Sequence, residues 1–431
     1  MQKIEIKNFG PIDYCSLSIK DFMVFTGQQA SGKSTIAKSI FFFKNIKILL
    51  NSLIKKQVFS PYEIEFPLKN KLIKEIRLNF LQVFGSTWAM PKNMSLFYSY
   101  DDREELYIKI SLKSDKNNPN YIWIEFSDTL SNKINTLEKK NNYTSDFSDI
   151  EILKTKVNEI FNDEYDAIYI PAGRSMITLL SSQLNYIYSS MEDIQKKSID
   201  YCTQSYLENI LKLKINFNDT LYNMIENIKK MTSIRIDEAK LKLGADIINS
   251  ILKGNYINIG GEERLQLNNS KNYVKINFAS SGQQEVLWIL NTLFYYILNN
   301  KKAYFIIEEP ESNLFPNAQK LVIEFVSLVK NSDNKILITT HSPYVLGTLN
   351  TLLYADDIVR RFPLKKNLVN DIIRKEFWLD FENFSSYFLR NGVVEDCSDK
   401  EIKCIKNEVI DEISNIINNN YDSLIGLEEW S

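Results

Sequence analysis

The sequence predicts an α/β fold that carries an antiparallel β subsheet and a mostly helical insertion. Two short apolar runs, AYFII (303–307) and KILIT (335–339), are typical of strands buried in a parallel sheet, and helical patterns flank both. Three alternating runs between residues 94 and 127, separated by turn-forming residues, indicate an antiparallel meander. Apolar residues at helical spacing fill 176–253 without the sustained heptads of a long coiled coil.

The remaining elements follow from the same patterns. Residues 2–26 alternate like strands and end in the apolar run FMVFT, after which a helix begins near Lys33. Residues 165–175 predict a buried strand that runs into a loop. We further expect helices at 67–84, within 128–164 and after 285, strands at 256–259, 264–267 and 273–278, and an amphipathic helix near 399–418.

Composition excludes several classes of protein. Of 431 residues, 44% are hydrophobic and 25% charged, which rules out a mostly disordered or a collagen-like chain. The net charge is −2, so strong non-specific nucleic-acid binding is not implied, although a local basic face remains open. Four scattered cysteines indicate a reduced compartment, and the single histidine, His341, excludes a multi-histidine metal site. No signal peptide or membrane segment is predicted, so we expect a cytoplasmic protein.

Residues 27–34 read GQQASGKS and match the P-loop pattern G-x-x-x-x-G-K-[ST]. The glycines let backbone N–H groups surround a phosphate, and the helix that follows offers its positive N-terminus. Lys33 is expected to reach the β- and γ-phosphates, and Ser34 to ligate Mg²⁺. The apolar strand before the motif and the helix after it provide the structural context that the pattern requires.

The run AYFIIEEPE ends a buried strand in two carboxylates, Glu308 and Glu309. Paired acids at such a position need a cation, water or protons. Two glutamates after an apolar run would by themselves fit a solvated strand end. Beside a P-loop, we expect Glu308 to hold Mg²⁺ through water and Glu309 to orient the attacking water or accept its proton.

Two further motifs adjoin predicted strands or helices. His341 follows the strand KILIT, where an α/β sheet places its ligand, and its imidazole could sense the γ-phosphate. The segment ASSGQQE (279–285) opens a helix, and its small residues leave N–H groups free for an anion. The same segment also fits an ordinary serine N-cap, and the residues alone leave both readings open.

These four motifs, in this order, resemble the ATP-binding-cassette (ABC) ATPases of the SMC/RecF/OLD branch. EEPESNLFP and TTHSPYVL are especially similar to the OLD-like AAA-type ATPases of bacteria. The resemblance is strong over 1–50 and 270–355 and looser between them. The signature is ASSGQ rather than LSGGQ, so Ser280 and Gly282 match the family and Ser281 departs from it. The resemblance implies a P-loop ABC-ATPase-like nucleotide-binding domain.

The resemblance also implies a mechanism that uses ATP and Mg²⁺. Two domains sandwich two ATP molecules head to tail, so that each P-loop faces the signature of the other subunit. Ser34 and Glu308 would serve Mg²⁺, and Ser312 and Asn313 would cross the interface as the D-loop. A Q-loop glutamine is expected as a further metal contact, and Gln82 is the candidate. The implied catalytic residues are Lys33, Glu309 and His341, and the implied ATP-binding residues are Gly27, Gln28, Ala30, Ser31, Gly32, Lys33, Ser34, Thr35, Ser280, Gly282 and Gln283.

Three features remain open on sequence alone. Arg174, in IPAGRS, fits either a structural arginine paired with an acid or a contact to ATP. Phe9, in KNFG, resembles an N-terminal "NF" of these ATPases and equally fits a core aromatic. Basic residues at 229, 230, 235, 240 and 242 fit a solvated helical face or a DNA-contacting surface.

We divide the chain into an N-terminal part of the ATPase domain (1–175), a helical insertion (176–255), a C-terminal part of the ATPase domain (256–350) and a C-terminal α/β extension (351–431). The segment 342–431 is too short for the Toprim nuclease of OLD proteins and holds no D-x-D motif. We therefore expect a nuclease-free ATPase that forms homodimers and switches a separately encoded effector in bacterial anti-phage defence. The alternatives are a RecF-like DNA clamp and a non-catalytic scaffold.

Overall fold

The structure is a computed structural model that describes residues 1–59, 67–115, 118–139, 147–178, 190–191, 200–231, 236–267, 272–406, 418–420 and 422–423. Its strands, in chain order, are β1 (Lys3–Phe9), β2 (Ile12–Ser18), β3 (Phe22–Gly27), β4 (Ser95–Ser99), β5 (Tyr107–Asp115), β6 (Asn118–Phe126), β7 (Asp166–Ile170), β8 (Gly254–Ile259), β9 (Glu262–Leu267), β10 (Tyr273–Lys275), β11 (Ala303–Glu308), β12 (Lys335–Thr339), β13 (Phe384–Arg390), β14 (Val393–Asp396), β15 (Ser398–Asp399) and β16 (Cys404–Ile405).

The α-helices, in chain order, are α1 (Lys33–Phe59), α2 (Leu68–Phe84), α3 (Asp128–Lys139), α4 (Phe147–Ile160), α5 (Tyr201–Leu213), α6 (Leu221–Met231), α7 (Glu238–Leu252), α8 (Ser281–Leu298), α9 (Pro316–Lys330), α10 (Pro343–Arg361) and α11 (Lys366–Ile372). Within the described residues, no helix is both long and apolar enough to cross a membrane. The predicted helical insertion contains α5, α6 and α7, and parts of it lie outside the described residues.

Eleven strands form one mixed sheet in the order β6-β5-β4-β1-β2-β14-β13-β3-β12-β11-β7. The half from β13 to β7 is parallel, and the half from β6 to β2 is antiparallel. The predicted parallel core and the predicted meander β4-β5-β6 are therefore both confirmed, and they belong to one continuous sheet.

Both faces of the parallel half are buried, which explains the continuous apolar runs. In β3, Phe22 and Val24 join the apolar cluster that contains mainly α5 to α10, whereas Met23 and Phe25 join the cluster that contains α1 to α4. The alternation follows from the two-residue period of a strand. The fold thus has three layers, with the sheet between two groups of helices.

The C-terminal segment belongs to this sheet. β13 pairs in parallel with β3 over Phe384–Leu389, so it fills the place beside the P-loop strand. The boundary that we drew at 350/351 falls inside α10. β13, which lies in the segment that we set apart as a C-terminal extension, therefore belongs to the same sheet as the P-loop strand, and the domain division stays a prediction.

Two predicted elements were wrong in part. The strand expected at 273–278 ends at Lys275, and Ile276–Phe278 form a 3₁₀ turn that leads to the signature. In place of the start of the helix expected at 399–418, β15 and β16 form a short pair, while 407–417 lie outside the described residues. Asn350 of α10 exchanges two hydrogen bonds with the backbone of Ile405, at 2.7 and 3.0 Å, and this tertiary contact overrides the helical pattern.

Candidate functional site

The carboxyl ends of β3, β12, β11 and β7, which are adjacent strands, meet at one edge of the sheet. The P-loop follows β3, His341 follows β12, and Glu308 ends β11. The loop at 171–175 follows β7. Parallel strands present their carboxyl ends to ligands, so the fold brings the predicted motifs together.

The P-loop has a backbone that requires glycine at two positions. Gly27 has φ +137° and Gly32 has φ +104°, a region that L residues rarely adopt. A Cβ at Gly27 would also lie 2.3 Å from the carbonyl oxygen of Leu389 in β13. The close approach of β13 therefore leaves no room for a side chain at the start of the P-loop.

Lys33 begins α1 and folds back over the P-loop. Its Nζ donates to the carbonyl oxygens of Gly27 and Gln28 at 2.9 and 2.8 Å. Burial lowers the pKa of Lys33, and the carboxylates of Glu309, Glu311 and Glu308 oppose that shift. A buried ammonium beside three acids can exchange its loop carbonyls for phosphate oxygens when a nucleotide is bound.

Glu308 is a buried carboxylate with one unsatisfied oxygen. Its Oε2 accepts the backbone N–H of Ala172 at 3.2 Å, whereas its Oε1 has no hydrogen-bond partner among the described residues. Burial raises the pKa of the Tyr169 hydroxyl, and the charge of the nearby Glu308 carboxylate raises it further. An unpaired buried carboxylate oxygen is costly unless a cation or a proton reaches it. Together with Ser34, an exposed residue in the first turn of α1, this donor set fits a Mg²⁺ ion that is otherwise held by water and phosphate.

Glu309 occupies a strained turn directly after β11. Its φ is +43°, and its N–H donates to the carbonyl oxygen of Thr339 at 2.9 Å. One carboxylate oxygen accepts the hydroxyl proton of Ser312 at 3.2 Å, and the other lies 3.4 Å from Nε2 of His341. Both side chains are about two-fifths exposed, so water can reach the pair. The predicted catalytic glutamate and the predicted switch histidine therefore lie side by side.

Sequence reasoning missed Glu311, the third acid of EEPE. Its Oε1 accepts the hydroxyl proton of Thr340 at 2.6 Å and the backbone N–H of His341 at 2.8 Å. Glu311 is buried, and its other oxygen has no partner among the described residues. Glu311 thus holds the backbone of His341 in place. Its position two residues after the acid pair was the available signal.

Arg174 is fully buried and contacts the ends of two elements. Nη1 donates to the carbonyl oxygen of Glu308 at 2.6 Å, and Nη2 donates to that of Glu309 at 2.9 Å. Nε donates to the carbonyl oxygen of Glu285 at 3.1 Å and lies 3.4 Å from that residue's carboxylate. Of the two readings left open, these contacts favour the structural arginine paired with an acid.

The signature segment caps α8. The Ser280 hydroxyl accepts the N–H of Gln283, and the Gln283 side chain accepts the N–H of Ser280, which together form a capping box. Gly282 lies against the D-loop, because a Cβ there would be 2.6 Å from the carbonyl oxygen of Asn313. Ser280 and Ser281 are exposed, so this helix start is open to solvent. The N-cap reading is confirmed, and nucleotide contacts by Ser280, Gly282 and Gln283 stay predictions.

Comparison with known proteins identifies the family. The family model described as AAA ATPase domain matches residues 1–346. The chain belongs to the AAA ATPase domain family. This membership confirms the predicted resemblance to ABC-type ATPases of the SMC/RecF/OLD branch. The match ends before β13, although that strand completes the sheet of this AAA ATPase.

Several solved structures are similar to this AAA ATPase at low sequence identity. An SMC head bound to the C-winged helix domain of ScpA has a TM-score of 0.41 at 11% identity, covering 93% of this chain and 98% of that one. The SMC head domain from Thermotoga maritima has a TM-score of 0.37 at 11% identity, covering 91% and 97%. An SMC head with an extended coiled coil, bound to the C-terminal domain of ScpA derived from Pyrococcus furiosus, has a TM-score of 0.40 at 14% identity, covering 97% and 100%. A search of curated proteins found no match.

Two other sequence hypotheses concern residues outside this cluster. Phe9 is a core aromatic of the AAA ATPase, since its ring packs on Phe80 and Phe84 at 6.0 and 4.9 Å. Gln82 lies half-exposed on α2, and no hydrogen bond among the described residues joins it to Ser34 or Glu308. Its metal role stays a prediction. The loop that does contact Glu308 is 171–175, which contains no glutamine.

The basic residues near 229–242 are largely paired. Lys229 and Lys242 both form ion pairs with Glu238, at 2.7 and 2.6 Å, and Lys240 donates to the carbonyl oxygen of Asn331. Arg235 lies outside the described residues. These pairs favour the solvated helical face over a free basic surface for DNA.

Proposed function

We propose that this AAA ATPase binds ATP with Mg²⁺, hydrolyses it, and alternates between a free form and an ATP-sandwiched homodimer. The observation that carries the proposal is the convergence of Lys33, Glu308 and Glu309 at one sheet edge. Lys33 is close enough to both acids for each to affect its pKa. A phosphate-binding lysine, a metal-binding acid and a water-facing acid are the parts that phosphoryl transfer to water requires.

Each residue has a defined task in this proposal. The P-loop N–H groups and Lys33 bind the phosphates and orient the γ-phosphate. Ser34 and the unpaired oxygen of Glu308 hold Mg²⁺, which neutralises charge on the phosphates when bound. Glu309 orients water and accepts its proton, and His341 is positioned beside that carboxylate.

Exposed aromatic residues support a dimer through this face. Phe278 precedes the signature, Phe315 follows the D-loop and Tyr344 follows His341, with exposed fractions of 80, 79 and 55%. Apolar side chains grouped around polar motifs are typical of a surface that a partner covers. The head-to-tail dimer implied by the family resemblance would cover them.

The first test measures ATP binding and hydrolysis. Lys33→Ala is expected to abolish ATP binding, because the phosphate loses its only buried cation in the P-loop. Glu309→Gln is expected to bind ATP and to remain in an ATP-bound assembly. Lys92→Ala, which changes an exposed lysine in the turn before β4, is the control and should behave as wild type. Rapid ATP turnover by Glu309→Gln would contradict the role given to this carboxylate.

The second test addresses the dimer. Phe315→Ser in the Glu309→Gln background is expected to weaken ATP-dependent dimerisation by at least tenfold, as measured by light scattering, because a buried aromatic contributes several kcal/mol to an interface. Trp88→Ser removes an equally exposed aromatic on another surface and is the matched control. Equal effects of the two substitutions would exclude this face as the interface.

We further propose that ATP occupancy switches a separately encoded effector in bacterial anti-phage defence, a role that stand-alone OLD-like ATPases commonly have. A tagged Glu309→Gln protein, expressed with its neighbouring genes, should retain a neighbouring protein only with ATP. Retention of DNA with ATP and no protein would favour a DNA clamp instead.

A further inference from the structure

Arg174 connects the acid pair to the signature helix. On one side, its guanidinium holds the carbonyl oxygens of Glu308 and Glu309. On the other side, it contacts the backbone and the carboxylate of Glu285 in α8. The side chain has no solvent exposure, so all of these contacts are made in a desolvated environment.

Glu285 completes the connection from the opposite side. Its Oε2 accepts the backbone N–H of Arg174 and its Oε1 accepts that of Ser175, both at 3.0 Å. Glu285 is also buried, and it lies one helical turn after Gly282. The carboxylate therefore fixes the loop 171–175 against the N-terminal turn of α8, which carries the exposed Ser280.

This connection is short and rigid. It runs from the backbone of Glu309 through the planar guanidinium of Arg174 to Glu285, and each hydrogen bond in it spans 3.1 Å or less. A relative shift of about 1 Å would break several of these bonds. The P-loop contributes none of the contacts that Arg174 makes among the described residues.

We propose that Arg174 and Glu285 are positioning residues that couple the N-terminus of α8 to Glu309. When the nucleotide held by a partner subunit engages Ser280 and Gly282, α8 is fixed, and the pair fixes the backbone that carries the catalytic carboxylate. The pair thus makes hydrolysis depend on dimer formation while it leaves ATP binding at the P-loop unaffected. This inference rests on the proposed ATPase function.

The kinetic test uses Arg174→Lys and Glu285→Gln. Each should lower kcat at least tenfold, while the ATP KM and Kd stay within threefold of wild type. Asp163→Asn is the matched control, because Asp163 forms a buried ion pair with Lys44 just before β7, at the opposite end of that strand from Arg174. This control should lose stability and keep kcat within threefold. The proposal would be overturned if kcat fell and the KM for ATP rose together in all three variants, each in proportion to the loss in free energy of unfolding.

A second readout does not need hydrolysis. In the Glu309→Gln background, ATP should slow amide hydrogen exchange across 306–312, the segment whose carbonyls at Glu308 and Glu309 Arg174 holds, and adding Arg174→Lys should remove that protection at equal ATP occupancy. Equal protection with and without Arg174→Lys would refute the coupling. If the wild-type protein binds ATP and never hydrolyses it, the proposed function fails, yet this comparison still decides whether the pair couples the two regions.

Discussion

Replacing Gly282 with alanine tests the close approach between the signature helix and the D-loop. The new Cβ would lie 2.6 Å from the carbonyl oxygen of Asn313 and 3.2 Å from a methyl carbon of Leu314. An unstrained carbon–oxygen contact is about 3.3 Å, so one backbone must move by about 0.7 Å. The D-loop is held in place, because the N–H of Ser312 donates to the carbonyl oxygen of Glu309 and that of Leu314 donates to Glu311.

The energetic consequence can be bounded. Overpacking costs about 1–3 kcal/mol. Alanine in a helix is more stable than glycine by about 0.5–1 kcal/mol, which offsets part of that cost. The free energy of unfolding should therefore fall by at most about 2.5 kcal/mol. Hydrolysis should fall by more than this loss suggests, because the displaced D-loop is hydrogen-bonded to the turn that carries Glu309.

Gly347→Ala is the matched control. Gly347 also lies within a helix, and nothing is within 4 Å of its Cβ position. This substitution should stabilise the protein by about 0.5–1 kcal/mol and leave hydrolysis unchanged. Urea unfolding measures the change in stability of both variants, and steady-state ATPase assays measure their rates of hydrolysis. If Gly282→Ala is stabilised like Gly347→Ala and turns over ATP at the wild-type rate, the close contact with Asn313 does not constrain the site.

Two further predictions concern buried charges. Glu308→Gln should lower the rate of ATP hydrolysis by roughly 100-fold through loss of the metal ligand. The free energy of unfolding of the nucleotide-free protein should fall by less than about 1 kcal/mol, because Oε1 has no hydrogen-bond partner among the described residues and the N–H of Ala172 keeps an acceptor. A larger loss in urea unfolding would contradict this description of Oε1. Burial lowers the pKa of Lys47 from 10.5 to about 8, so the folded state binds fewer protons than the unfolded state above pH 8. The free energy of unfolding of the wild type, relative to that of Lys47→Met, should therefore rise by up to about 3 kcal/mol between pH 8 and 10.5. A difference that stays constant across this pH range in urea unfolding would refute the lowered pKa of Lys47.

The chemistry-bearing motifs could be predicted because each is local. A P-loop encodes its own turn, and Glu308, Glu309 and His341 each follow an apolar run that identifies its strand. Adjacent parallel strands then had to bring these motifs to one edge. The local pattern did not predict the 3₁₀ turn at 276–278 or the pairing of β15 with β16, because tertiary contacts determine the backbone conformation at both places.

Long-range pairing accounts for the other omissions. Arg174 and Glu285 are 111 residues apart, and only the fold identifies the glutamate as the acid that the arginine pairs with. The place of β13 in the sheet is likewise set by pairing across most of the chain. The sequence 384–390 looks like an ordinary strand, and strand propensity carries no information about which neighbour a strand will choose.

The position of β13 beside β3 affects how the chain folds during its synthesis. Both strands that flank β3 are synthesised more than 300 residues after it, at 335–339 and 384–389. The carbonyl of Leu389 also closes against Gly27, so the phosphate loop acquires its final surroundings only when the last part of the sheet has left the ribosome. Until then, β3 is an apolar strand with both edges open, which is a hazard for aggregation. ATP therefore cannot template early folding of the nascent chain, and a polypeptide interrupted before β13 would carry an intact P-loop sequence in an unfinished sheet.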